Sequence, residues 1–129
     1  MSLPIGNAVH HIAVIGTNYE ASRHFYVDVL GFEVVREVWR EEKQDWKIDL
    51  ALDGCELELF ILPKAPARPS WPEAAGLRHL AFRVESVPEM ADRLEARGIV
   101  CEPIRTDEFT GGRMTFFHDP DGLPLEIHE

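Results

Sequence analysis

Basic residues are scarce in this chain. The 129 residues hold 13 Lys and Arg against 23 Asp and Glu, a formal net charge of −10. The basic residues are scattered and form no run. Phosphate backbones and anionic membrane surfaces repel such a chain, which excludes nucleic acid as a natural partner. Long hydrophobic runs are absent too. No apolar stretch approaches the ~20 residues needed to cross a bilayer, and MSLPIGNAVHH lacks the charged start and apolar core of a signal peptide. Cysteine is limited to Cys55 and Cys101, too few for a disulfide framework, so a reducing cytoplasm is the expected setting. What remains is ordinary globular composition at the size of one domain, with 45% hydrophobic and 28% charged residues.

The chain repeats itself. His11-Ile-Ala-Val matches His79-Leu-Ala-Phe, Asp53-Gly54 matches Asp121-Gly122, and Glu58 in LEL matches Glu126 in LEI. The offsets 79−11, 121−53 and 126−58 are all 68. Gly31 and Gly98 differ by 67, a slip of one. Each half therefore carries a His and, 47 residues later, a Glu. A matched pair of metal-ligand residue types repeating in register points to a shared site.

Both halves predict the same order of elements. In the first, AVHHIAVI reads as a strand. Asn18 is an N-cap for a helix over 19–30, spaced by Ala21, Phe25, Val29 and Leu30 and ended by Gly31. Strands are expected at 32–40, 46–53 and 55–62. In the second half, LRHLAFRV is a strand, Ser86 and Glu89 make a capping box before a helix at 87–97, and Gly98 ends it. Strands are expected at about 99–105, 113–118 and 123–128. The stretch 63–76 carries four prolines and reads as a linker. The expected fold is α+β: module 1 at about 1–62, the linker, and module 2 at about 77–129. Each module is βαβββ, and together they form a curved, mostly antiparallel sheet.

Side chains alternate across a strand. Val9, His11, Ala13 and Ile15 share one face, and His10, Ile12 and Val14 the other. Leu77, His79, Ala81 and Arg83 stand opposite Leu80, Phe82 and Val84. The uniformly apolar sets should pack under the helices, leaving His11 and His79 on the far face and His10 turned away from it. Glu58 shares a face with Glu56 and Phe60, and Glu126 with Pro124 and His128. Carboxylates do not bury unpaired. A cation would explain two His and two Glu aimed into a sheet interior. Imidazole suits zinc, nickel, copper and iron, while carboxylate oxygens also suit harder ions. On a six-coordinate ion, four ligands leave two adjacent positions for water or substrate.

Other residues carry two readings each. Arg113, after Gly111-Gly112, either reaches a substrate anion by bidentate contact or decorates a hairpin. Trp46 and Phe116 either line an apolar substrate pocket or fill the core. Asp119-Pro120-Asp121-Gly122 has turn chemistry. Neither cysteine has a base partner in sequence.

At VHHIAV, ASRHFYVDVLGF, LELF, GLRHLAF and FFHDPDGLPLEIHE the chain resembles the vicinal oxygen chelate superfamily, also called glyoxalase/bleomycin-resistance/dioxygenase proteins. These segments cover most of the chain in family order. DPDG before a strand ending in Glu is the most specific, and the likeness extends to short bacterial glyoxalase I-like proteins. The resemblance implies ligands on the first and fourth strands of each module: His11, Glu58, His79 and Glu126. It also implies a divalent-metal-dependent lyase or isomerase that acts on a small α-oxo or α-hydroxy carbonyl compound through a metal-stabilised enediolate. With this resemblance nickel or zinc is the expected ion, with cobalt, manganese or iron behind them. Glu126 is the first candidate for the catalytic base and Glu58 the second. Related branches are acyl-CoA epimerases, fosfomycin-resistance thiol transferases and non-catalytic binding proteins. Members of this length commonly form homodimers. The chain departs at Ile15 and Leu62, where glutathione-using glyoxalase I carries Arg and Asn, so the usual tripeptide contacts are missing.

Overall fold

A computed structural model describes residues 1–129. The chain divides into two compact units, Met1–Ala65 and Pro66–Glu129. In the first, strand β1 (His11–Gly16) leads into helix α1 (Tyr19–Arg23), which continues as a π-helical segment (His24–Val29). Strands β2 (Val34–Arg40), β3 (Asp45–Leu52) and β4 (Cys55–Ile61) follow. In the second unit, β5 (Leu80–Arg83) precedes helix α2 (Val87–Ala96), then β6 (Arg105–Thr106), β7 (Arg113–His118) and β8 (Pro124–His128).

Each unit holds one four-stranded mixed sheet, in the orders β1-β4-β3-β2 and β5-β8-β7-β6. The first strand of each runs parallel to the fourth, and the other pairings are antiparallel. The fold class is therefore α+β, with two tandem modules of one topology.

Local chemistry explains the elements. The Asn18 side chain accepts from the Ala21 N–H at 2.9 Å and opens α1. Ser86 does the same for α2, accepting from the Glu89 N–H at 3.3 Å. Gly31 (φ +79°) and Gly98 (φ +83°) take the left-handed conformation that ends each helix. In β4, Leu57, Leu59 and Ile61 are buried while Glu56, Glu58 and Phe60 face the other way. Ile48 and Leu50 of β3 join the buried set. Helix α1 covers this face: Tyr19 packs on Trp46 with ring centroids 5.1 Å apart, and its hydroxyl donates to Glu37 at 3.0 Å.

Three expectations change. The helix over 19–30 widens after Arg23 into a π-helix, closed by the Leu30 N–H donating to the Phe25 carbonyl at 2.9 Å. The wider turn accommodates two adjacent aromatics, Phe25 and Tyr26, both in the core. The expected strand at 99–105 reduces to Arg105–Thr106. Pro103 offers no donor there, and the segment is held to β7 by the Glu102 N–H to Phe116 carbonyl bond at 2.9 Å and by Thr115 Oγ1 donating to the Glu102 carbonyl at 2.6 Å. Finally, β1 begins only at His11, so the strand alternation does not extend back to His10.

Candidate metal centre

Parallel pairing of first and fourth strands sets up the same arrangement in each module. Ala13 lies directly beside Glu58, and Ala81 directly beside Glu126. A methyl group at that place leaves room above the sheet. The histidine two residues earlier reaches across it to the carboxylate. His11 Nε2 stands 3.6 Å from Glu58 Oε1, and His79 Nε2 stands 3.1 Å from Glu126 Oε1. Two ligands at about 2.1 Å from one ion lie roughly 3.0 Å apart at a right angle and about 3.4 Å at the tetrahedral angle. Both separations are thus close to those of neighbouring ligands on a cation. The donors are imidazole nitrogen and carboxylate oxygen, which fit a borderline divalent ion. Glu126 is buried and Glu58 nearly so, whereas His11 is 43% exposed.

The surroundings of the two pairs differ. In the first module the Asp53-Gly54 hairpin pairs Leu52 with Cys55, and counting back along both strands puts Asp49 opposite Glu58. Asp49 is buried, and it accepts from Lys47 Nζ at 2.8 and 2.9 Å and from Arg36 Nε at 2.9 Å. Arg36 also donates to Glu56 at 2.9 Å. Lys47 Nζ lies 3.6 Å from Glu58 Oε2, the oxygen turned away from His11. Carboxylate oxygens of Asp49, Glu56 and Glu58 come within 4.8 Å of one another. Two cationic side chains already occupy that cluster of three carboxylates, so it is a largely compensated ion-pair network that includes Glu58.

In the second module the residue opposite Glu126 is Phe116. Its ring meets His79 edge-on at 5.0 Å, and the Arg105 guanidinium lies over it at 5.5 Å. No lysine or arginine stands within ion-pair distance of Glu126, whose partner is the His79 imidazole.

The remaining sequence candidates separate. Phe116 joins the His79–Glu126 face. Trp46 does not reach the face of Glu58. It stands on the helix-covered side against Tyr19 and Trp39, because it shares strand parity with Ile48. Arg113 is committed to Glu129, at 3.0 Å from Nε and 2.8 Å from Nη2, and that carboxylate also accepts from the Val87 N–H at the start of α2. Asp119 accepts from the Asp121 and Leu123 N–H groups at 2.9 Å each, which makes DPDG a turn, as its composition implied.

Sequence reasoning set His10 aside. Its Nδ1 lies 2.8 Å from His11 Nδ1, and its carbonyl accepts from the Glu56 N–H at 3.3 Å. The alternation argument turned it away from the site; being outside the strand, it is free to turn back. Lys47, Asp49 and Arg36 were overlooked, although the Asp-Gly hairpin carried the register that locates them.

The sequence profile of the Glyoxalase/Bleomycin resistance protein/Dioxygenase superfamily matches residues 8–127. The chain belongs to this superfamily. This member is 54% identical to the uncharacterized protein YaeR of Escherichia coli strain K12 over 122 residues, 94% of this chain and 95% of that one. It is also 54% identical to the uncharacterized protein YwkD of Bacillus subtilis strain 168 over 123 residues, 95% and 96% of the two chains. Among solved structures, a glyoxalase family protein from Enterococcus faecalis superposes with a TM-score of 0.89 at 59% identity, covering 94% of this chain and 96% of that one. More distant relatives are named as a glyoxylase, an epimerase and a manganese-dependent dioxygenase, so the superfamily spans several reactions.

The buried network yields a pH prediction. Burial opposes ionisation of Asp49, but hydrogen bonds from Lys47 and Arg36 outweigh it and hold the carboxyl below its ordinary range. A depressed folded-state value means that Asp49 stabilises the fold above the unfolded carboxylate range, near pH 4. That contribution is lost as pH falls through the folded value. Asp49→Asn is expected to cost about 1–2 kcal/mol at pH 7 and to flatten the fall of Tm on acidification, read by thermal melts from pH 7 to 3. An unchanged acid limb would contradict the network.

Proposed function

We propose that the chain is a divalent-metal-dependent lyase or isomerase that moves a proton between neighbouring carbons of a small α-oxo or α-hydroxy carbonyl compound. His11, Glu58, His79 and Glu126 are its metal ligands, and nickel or zinc is the expected ion. The observation that carries this reading is the repeated His Nε2–Glu Oε1 approach, at 3.6 and 3.1 Å. A structural role for one such pair is ordinary. Two pairs at a spacing of 68 residues, each beside an alanine, are better explained by a shared duty as ligands. Membership of a superfamily with glyoxylase and epimerase relatives supports the reaction class. The working form is taken to be a cytoplasmic homodimer.

A bound cation would polarise the substrate carbonyl and offset the negative charge that develops as the neighbouring carbon loses its proton. The protein's own part is to remove that proton and return it. Glu126 suits this role better than Glu58. Lys47 engages the outer oxygen of Glu58, which fixes that carboxylate in place as a ligand. Glu126 has an aromatic ring opposite it and no ammonium or guanidinium partner, so its carboxylate is left to serve as the base. On the first module His10 orients the ligand: when His11 Nδ1–H donates to His10 Nδ1, His11 Nε2 is left unprotonated for the cation.

Purified protein should carry close to one equivalent of divalent metal per site by elemental analysis. Glu126→Gln is expected to keep the fold and lose turnover by about 10²-fold or more against α-oxoaldehydes or acyl-CoA epimers. Full activity in this variant removes Glu126 as the base. Metal-free protein that cannot be loaded points instead to a small-molecule sequestering role. His10→Phe should weaken metal affinity by about tenfold in a chelator competition, while His10→Asn, which keeps an acceptor at the Nδ1 position, should retain most of it. Equal affinity in all three proteins would show that His10 does not orient His11.

A further inference from the structure

The two ligand faces follow one plan up to a point. Ala81 and Arg83 share the exposed face of β5, with Leu80 and Phe82 turned the other way. Ala81 lies beside Glu126, which meets His79 at 3.1 Å, and Arg83 lies beside His128. Arg83 therefore stands two residues along the strand, about 7 Å, from the level of the His79–Glu126 pair. A diagonal neighbour on one sheet face is within reach of a long side chain. In β1 the equivalent position, 68 residues earlier, is Ile15, which lies beside Phe60. Since isoleucine serves there, the strand pairing itself has no need of a cation at this place.

Arg83 also differs from the other cations of these faces. Lys47 and Arg36 are held by carboxylates, and Arg40 by Asp45 at 2.6 Å. Arg105 lies over Phe116 with Glu102 at 3.5 Å. The Arg83 guanidinium is exposed and makes no hydrogen bond or ion pair within the chain. His128, its neighbour in register, is already engaged by Asp107 at 3.1 Å and by the Glu129 carbonyl at 2.7 Å. An accessible, uncommitted guanidinium thus sits on the same face as the His79–Glu126 pair.

We infer that Arg83 anchors the anionic tail, a carboxylate or phosphate group, of a substrate whose reacting oxygens lie at the His79–Glu126 pair. A guanidinium offers its N–H groups in a planar fork that matches either group. Holding the tail at one end fixes which carbon faces Glu126 at the other. A cation there also draws an acidic compound to a chain whose formal charge is −10. The substrate class narrows to an acidic α-oxo or α-hydroxy carbonyl compound, a step that rests on the proposed metal chemistry.

The test uses the full chain, with its metal content measured on the same sample. Three α-hydroxy ketones are titrated by calorimetry at constant ionic strength: dihydroxyacetone, hydroxylevulinate and dihydroxyacetone phosphate, which carry no charge, a carboxylate and a phosphate. At least one anionic probe should bind about tenfold or more tightly than the neutral one, and the tighter of the two names the group. Arg83→Ile, which installs the residue of the first module, should bring the anionic probes down to the level of the neutral one. Arg83→Lys should keep part of the preference, since it retains the charge without the fork. Both variants are checked for folding by circular dichroism. Absence of any anion preference, including failure of all three probes to bind, overturns the inference. So does a preference undiminished in folded Arg83→Ile, which leaves Arg83 as a charged guard on a strand edge. Bound metal without an anion preference sinks the anchor alone. An Arg83-dependent preference in protein that cannot be loaded with metal sinks the metal reading alone.

Discussion

The candidate site depends on one constraint, the parallel pairing of first and fourth strands within each module. Antiparallel hairpins arrange themselves locally, but a parallel pair needs the intervening helix and two further strands to bring its members together. The chain accepts that long closure twice, and each time it sets an alanine of the first strand beside a glutamate of the fourth. The alanine is what allows an imidazole two residues away to lean over its neighbour. A larger side chain there would fill the same space. The buried Leu57, Leu59 and Ile61 on the reverse of β4 hold Glu58 outward, and Leu125 and Ile127 do the same for Glu126. Core packing and ligand presentation are two faces of one alternation.

The two modules share one strand geometry, and their neighbours make the pairs chemically unlike. Asp49 opposite Glu58 brings in Lys47 and Arg36, because a buried carboxylate must be compensated. Phe116 opposite Glu126 brings in none. A carboxylate engaged by an ammonium is fixed by it, whereas one beside an aromatic ring is not. The proposed proton transfer calls for both, one ligand that is held and one that is left to act as base. Substituting a single residue on the neighbouring strand separates them without disturbing the backbone.

Much of this was legible in the sequence for identifiable reasons. The 68-residue period marked both His–Glu pairs before any element was placed. The Asp-Gly hairpin contained the β3–β4 register, so Asp49 could have been set opposite Glu58 by counting. Other features were not legible. Alternation applies only inside a strand, and nothing local showed that β1 would begin at His11, which left His10 misplaced. Helical spacing does not distinguish an α from a π turn, since both bury Phe25 and Tyr26 somewhere. Arg113 beside two glycines looked free because its partner, Glu129, lies 16 residues on. Trp46 was ambiguous until helix α1 settled which face was covered.

Superfamily membership says little about which reaction runs, since relatives with one fold carry different activities. Discrimination has to come from groups outside the shared ligands. In this chain those groups are unevenly distributed. Of the strand cations, Lys47 and Arg36 are engaged by acids and Arg113 by Glu129. Arg83, exposed on the face of Ala81 and Glu126, has no such partner. Its counterpart in the first module is Ile15, so this position changes character while the strand pairing around it keeps its register. A residue of that kind can alter what the site accepts and leave the ligand geometry as it is.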